Sequence, residues 1–169
     1  FAKDPDLYYM PYQYGNAANP LAHYETTGVE ILEAVPNVDV FVAGLGTGGT
    51  LMGVGRRLKE RNPDTKIVAV VPHPDDLIMG LRSLEDGFIP PILDESLLDS
   101  RIMIESREAF QMTRALLDQE GIFAGISAGG VVACAMRLAQ RMETGNVVCL
   151  LADGGWKYLS TNLWSREYG

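Results

Sequence analysis

The amino-acid sequence predicts an α/β domain with a mostly parallel sheet in three layers. Three observations predict it. Four short strand candidates occur at 38–43 (VDVFVA), 66–71 (KIVAVV), 101–105 and 146–152 (NVVCLLA), and three of them are almost wholly apolar. Helix-like stretches separate them, and strands without polar alternation belong to a sheet covered on both faces. Glycine-rich turns at 44–49 and 125–130 each lead into a helix. Right-handed crossovers place such turns at the carboxyl edge of the sheet.

The elements follow in order. Residues 1–20 are rich in Tyr, Asn, Pro and Gly and read as irregular, with one short strand near 7–10. Residues 21–35 predict a helix, with Pro20 near its start and Pro36 closing it. Gly28 weakens that helix by about 1 kcal/mol relative to Ala. The first strand, 38–43, passes through the glycine turn into a helix over 50–61, with Pro63 beyond it. The second strand is 66–71. Residues 72–98 carry four prolines and several Asp, and so long an irregular connection is functional or mobile. The third strand, 101–105, precedes a helix over 106–120 that opens on a cap-like Ser106 and stops at Gly121. After the second glycine turn a helix runs to about Met142. The fourth strand, 146–152, ends at Asp153-Gly154-Gly155. Repeats, low-complexity tracts and linkers are not evident.

The 169 residues amount to one domain. Lys and Arg number 14 against 22 Asp and Glu, a formal charge of −8. An acidic surface repels phosphate backbones, which disfavours nucleic-acid binding. Any bound anion must therefore be held by a local device. No apolar run approaches the roughly 20 residues of a membrane span, and the start lacks the pattern of a secretion signal. Cys134 and Cys149 lie in apolar segments and read as buried hydrophobes, not as a disulfide or a metal pair. No metal site is expected, and a reducing, cytoplasmic setting is. The opening Phe1-Ala2-Lys3-Asp4-Pro5 reads as the middle of a protein, so the chain is expected to be a fragment.

The local device is the first glycine turn. Gly44-Leu45-Gly46-Thr47-Gly48-Gly49-Thr50 joins a buried strand to a helix. Glycine lets backbone approach a ligand, and the helix start presents unpaired N–H groups and partial positive charge. Together these make a phosphate seat, with Thr47 and Thr50 adding hydroxyls. Gly44, Gly46 and Gly49 also fit G-x-G-x-x-G, so a non-catalytic dinucleotide-binding domain is a rival reading. That motif wants an acid at the end of the second strand for the ribose, and the nearest acid here is Asp75.

Several segments, in order, resemble one family. They are Asn16-Ala17-Ala18-Asn19-Pro20, His23-Tyr24-Glu25-Thr26-Thr27-Gly28, Gly46-Thr47-Gly48-Gly49-Thr50, Glu120-Gly121-Ile122-Phe123-Ala124-Gly125-Ile126-Ser127, and Asp153-Gly154-Gly155-Trp156-Lys157-Tyr158-Leu159-Ser160-Thr161. Over about 12–163 the chain is similar to the C-terminal, large domain of fold-type II pyridoxal-phosphate enzymes (tryptophan synthase β-like), specifically the cysteine synthase and cystathionine β-synthase family. The resemblance implies pyridoxal 5'-phosphate as cofactor, its phosphate on Gly46, Thr47, Gly48, Gly49 and Thr50, and Ser127 against the pyridine nitrogen. A helix N-cap is the plainer use for Ser127.

One segment narrows the choice. Met79-Gly80-Leu81-Arg82-Ser83-Leu84-Glu85-Asp86-Gly87-Phe88-Ile89-Pro90 replaces the glycine-rich stretch of most cysteine synthases. It resembles the actinobacterial O-phosphoserine-dependent type, in which an arginine binds the substrate phosphate, and Trp156-Lys157-Tyr158 points the same way. Arg82 is the candidate, with a forked guanidinium suited to phosphate. The plain alternative is a surface Arg paired with Glu85 or Asp86.

The implied reaction is a β-replacement on O-phospho-L-serine by a sulfur nucleophile, giving L-cysteine. Alternatives are an O-acetylserine sulfhydrylase or a cystathionine β-synthase. The family's Schiff-base lysine lies in a Ser-x-x-Lys motif of the N-terminal half, and neither that motif nor the Thr-Ser-Gly-Asn-Thr carboxylate loop occurs in this sequence. No catalytic residue is therefore assigned, and residues 1–169 are expected to be an inactive cofactor-binding half. The implied partners are a small amino-acid substrate, a sulfur-carrier protein or free sulfide, and a second copy in a homodimer. His73 reads as site lining, His23 as helix surface or interface, and Asp75 and Asp76 as a solvated loop.

Overall fold

The structure is a computed structural model that describes Asp4 and residues 7–164. Its elements are α1 (Ala18–Glu25), α2 (Thr27–Ala34), β1 (Val40–Gly44), α3 (Gly49–Arg61), β2 (Lys66–Pro72), β3 (Ser100–Ile104), α4 (Ser106–Glu120), α5 (Ile126–Ala139) and β4 (Val147–Cys149), with 3-10 turns at Glu95–Leu97 and Gly155–Thr161. The four strands pair in the order β3-β2-β1-β4, and every pairing is parallel. The predicted α/β class and parallel sheet are observed.

Strand alternation divides the core in two. Val40, Val42, Val68 and Val70 face α4 and α5, against Ala109, Ile126 and Val131. Phe41, Ala43, Ile67, Ala69 and Val71 face α3, against Leu51, Val54 and Leu58. Burial on both faces is why these strands carry no polar alternation. Both β1 and β2 end at the same edge, with Gly44 opposite Val70, and Leu45 N–H donates to the Val70 carbonyl at 2.8 Å. No helix among the described residues is long and apolar enough to cross a membrane.

Several expectations need correction. The short strand near 7–10 is not formed; Leu7, Tyr8, Tyr9 and Met10 are exposed, with no strand to pair against. The single helix over 21–35 is two helices, broken at Thr26 (φ −119°, ψ −78°). There the Thr26 hydroxyl donates to the Ala22 carbonyl at 2.7 Å, a side-chain bond that competes with the helix ladder. Gly28, read above as a weak point, is a contact point: a Cβ there would lie 2.8 Å from Arg57 Cβ. Ser106 does not cap α4. The cap position is Glu105, which makes no side-chain cap bond, and Asp76 reaches across from the long connection to accept from Ser106 N–H. Asp76 is thus an anchor at a helix start, not a free loop acid. The fourth strand is also shorter than expected, half-buried at the sheet's edge.

Cys134 is fully buried and Cys149 half-buried; both are free thiols. Burial pushes the Cys134 thiol up to about 11, so it stays protonated in the core.

Candidate functional site

The first turn leaves the sheet at Gly44 and enters α3 at Gly49. The bend is made at Gly48, whose φ of +88° is the left-handed region that a side chain strains against. The cap residue Gly48 has no side chain, and Thr47 Oγ1 accepts only the Gly49 N–H of α3. Among the described residues the amides of Gly46, Thr47, Gly48, Thr50 and Leu51 have no hydrogen-bond partner. Five N–H groups are thus left at one helix start, where the dipole favours an anion.

Gly49 is also a packing position. A Cβ there would sit 1.9 Å from Asn19 Oδ1, and one turn on, a Cβ at Gly53 would sit 2.2 Å from the Pro20 carbonyl oxygen. These two glycines let α1 lie against α3. They bring Asn19 and His23 up behind the turn, and sequence reasoning had missed both as site residues. Asn19 Nδ2 donates to Thr47 Oγ1 at 3.1 Å and to the Gln13 carbonyl at 2.8 Å. His23 Nε2 lies 3.2 Å from Thr50 Oγ1, and its Nδ1 lies 3.0 Å from Thr27 Oγ1. Burial lowers the His23 pKa. Asn19-Pro20 at a helix start was a visible signal, but nothing in the sequence told which face of α1 His23 would take.

The second turn lies on the same edge. Gly125 is the cap position of α5, so Ser127 falls in the helix's first turn and is not its N-cap. Ser127 is 6% exposed, and its hydroxyl has no hydrogen-bond partner among the described residues. Gly125 admits no side chain because a Cβ would meet Asp153 Oδ1 at 2.0 Å. Gly125 N–H donates to the Asp153 carbonyl, and Tyr158 O–H donates to Asp153 Oδ2 at 2.8 Å. Burial and this bond raise the Tyr158 pKa to about 12, while Asp153 Oδ1 is buried without a partner among the described residues.

The long connection joins the two turns. A Cβ on Gly46 would lie 3.0 Å from the Gly80 carbonyl oxygen, and a Cβ on Gly80 would lie 3.3 Å from Ser127 Oγ. Gly80 itself has φ +91°. The Arg82 N–H donates to the Leu45 carbonyl at 2.7 Å. Gly46, Gly80 and Ser127 therefore meet at one place, with Arg82 fastened to the first turn. The Arg82 guanidinium pairs with Asp86 at 2.9 Å, not with Glu85, and lies over the rings of Phe88 (4.8 Å) and Tyr14 (5.6 Å). His73 lies apart, in a surface cavity with Pro74, Asp75, Asp76 and Glu105. A second cavity, of about 210 Å³, is lined by Pro72, Ser83, Glu85, Arg101 and Met103, and is not where the glycine turns meet. The glycine-turn cluster can seat an anion on main-chain amides beside a free hydroxyl.

Known proteins resemble this chain in sequence and in fold. A family model described as pyridoxal-phosphate dependent enzyme matches residues 1–153. A cysteine synthase of Aquifex aeolicus (strain VF5) is 43% identical over 171 residues, covering 98% of this chain and 52% of the relative. A probable cysteine synthase of Bacillus subtilis (strain 168) is 41% identical over 169 residues, covering 93% and 54%. Among solved structures, cysteine synthase from Entamoeba histolytica superposes with a TM-score of 0.89 at 31% identity, over 99% of this chain and 52% of that one. The K43A mutant of O-ureido-L-serine synthase, bound to O-ureido-L-serine, superposes with a TM-score of 0.88 at 36% identity, over 99% and 56%. The chain spans about half the length of the relatives it matches. By sequence match and by fold, it belongs to the family of pyridoxal-phosphate-dependent enzymes, with cysteine synthases among its relatives.

Proposed function

We propose that residues 1–169 form the cofactor-phosphate-binding half of a cysteine synthase that takes O-phospho-L-serine. The reading rests on one observation above the others: five unpartnered amides at the start of α3 lie across Gly80 from an unpartnered Ser127 hydroxyl. That donor set fits pyridoxal phosphate. Amides and the Thr47 and Thr50 hydroxyls suit a phosphate dianion, and a lone hydroxyl suits a ring nitrogen. When bound, the cofactor supplies the electron sink for exchange of a β-substituent.

In this reading Gly46 to Thr50 hold the phosphate, and Ser127 holds the ring without fully protonating it, because a serine hydroxyl is a weak acid. Gly80 keeps the passage between the turns narrow. Arg82 is the substrate-phosphate ligand, and the rings of Tyr14 and Phe88 hold its guanidinium plane. The substrate must displace Asp86, whose side chain is 45% exposed; an exposed pair of this kind is worth at most about 1 kcal/mol. The Schiff-base lysine and the carboxylate loop belong to the half of the relatives' length that this chain does not span. The resemblance extends the reading to a homodimer in a reducing cytoplasm.

The test uses the full-length enzyme. R82A should lower kcat/KM for O-phospho-L-serine by about a hundredfold, while O-acetyl-L-serine turnover changes little. Equal turnover of phosphoserine by R82A and the parent would remove the phosphoserine assignment. The 169-residue chain alone should bind pyridoxal phosphate weakly and show no synthase activity. Tight binding of NAD by this chain would instead favour the dinucleotide reading.

A further inference from the structure

The two threonines of the first turn are gripped from behind by different residues. Thr47 Oγ1 accepts from Asn19 Nδ2 at 3.1 Å and from Gly49 N–H at 3.2 Å. The Gln13 carbonyl fixes which end of the Asn19 amide is the donor. Both lone pairs of the Thr47 hydroxyl are engaged, and its proton is left for an acceptor in front.

Thr50 has one described side-chain partner, His23 Nε2 at 3.2 Å, and the other ring nitrogen of His23 lies 3.0 Å from Thr27 Oγ1. Burial lowers the His23 pKa, which favours the neutral ring. A neutral imidazole has one donor and one acceptor, so the chain Thr27–His23–Thr50 has two consistent directions. In one, Thr27 donates to Nδ1, Nε2–H donates to Thr50 Oγ1, and the Thr50 proton faces forward. In the other, Thr50 spends its proton on Nε2 and offers an anion only lone pairs.

We propose that His23 is a positioning residue for the phosphate seat: it accepts from Thr27 through Nδ1, donates to Thr50 through Nε2–H, and so makes the Thr50 hydroxyl a donor. The inference rests on the reading of Gly46 to Thr50 as that seat. It repeats at Thr50 the arrangement that Asn19 makes at Thr47, where the direction is fixed by the Gln13 carbonyl. His23 and Asn19 are one turn apart on α1, so a single helix aims both hydroxyls.

The experiment titrates the apo form of the full-length enzyme with pyridoxal phosphate and with pyridoxal, which lacks the phosphate. H23L should weaken pyridoxal phosphate binding about tenfold or more, the usual loss for a hydrogen bond to a charged group, and leave pyridoxal binding unchanged. H23Q, which keeps an N–H donor, should recover part of the loss. T27V should give a smaller loss of the same kind. In the parent holoenzyme, ¹⁵N NMR of labelled histidine should show His23 Nδ1 unprotonated and Nε2 protonated; this reading needs no variant to fold. A proton on Nδ1, or equal losses for pyridoxal and its phosphate in H23L, would overturn the inference. So would normal pyridoxal phosphate binding by H23L alongside impaired binding by T50V. Normal pyridoxal phosphate binding by T50V would instead sink the phosphate-seat reading itself.

Discussion

The two glycine turns share one sheet edge but depend on different parts of the molecule. The first follows the central strand β1, is tied to β2 through Leu45, and is backed by α1 through Asn19 and His23. The second follows no strand. Its only sheet-like contact among the described residues is the antiparallel bridge between Ala124 and Gly154, and its fastening is Asp153 with Tyr158. Two stretches that look alike as sequence therefore differ in support. The body of the domain sets the first, and the 153–158 segment sets the second.

The largest expected effect breaks the support of the first turn. G53V puts a branched side chain where even a Cβ would lie 2.2 Å from the Pro20 carbonyl oxygen and 2.6 Å from His23 Cβ. Chemical denaturation should show a loss of about 3 kcal/mol, since backbone cannot yield as a flexible side chain does. Pyridoxal phosphate affinity should fall with it.

Next comes the fastening of the second turn. Y158F removes the bond to Asp153 and leaves a carboxylate whose other oxygen is already buried and unpartnered. A loss of about 1–2 kcal/mol follows. The pH dependence sharpens the point. The Tyr158 pKa is raised from 10 to about 12, so folding favours the protonated phenol. Its contribution is full below pH 10 and is lost as pH rises through about 12. Cys134, raised from 9 to about 11, adds a loss over the lower part of that range. Denaturation profiles between pH 9 and 12 should be flatter in Y158F than in the parent; superimposable slopes would refute the Tyr158 assignment.

The parallel sheet and the two-sided core were legible because burial on both faces writes itself as unbroken apolar strands, as in 66–71; the strand order was not. The turns were legible because Gly48 requires a left-handed bend. The partners of the turns were not. The packing roles of Gly49 and Gly53 appear only once α1 is placed against them. Likewise, His23 could only be read as helix surface or interface, because a side chain's target across 27 residues is a tertiary fact. The break at Thr26, where the side-chain hydroxyl takes the Ala22 carbonyl, carried no proline or glycine at that position to mark it.

Smaller effects test the connection that joins the turns. D76A should cost about 1 kcal/mol by leaving the α4 start without its carboxylate, read as a lower melting temperature. K157A should change stability by less than about 0.5 kcal/mol, because Lys157 is half exposed and 3.6 Å from Asp153. A K157A loss as large as that of Y158F would mean that charge, not the phenol bond, fastens the second turn.

Helix α3 is hemmed in on opposite flanks, by Ile67 against Gly55 on the sheet side and by α1 against Gly49 and Gly53 on the other. A rod seated with so little clearance has little room to tilt. In the proposed phosphate seat its amides would be aimed before an anion docked, the work of orienting dipoles having been done as the chain folded. Glycine, usually associated with looseness, here serves as the machining tolerance that makes the part stiff.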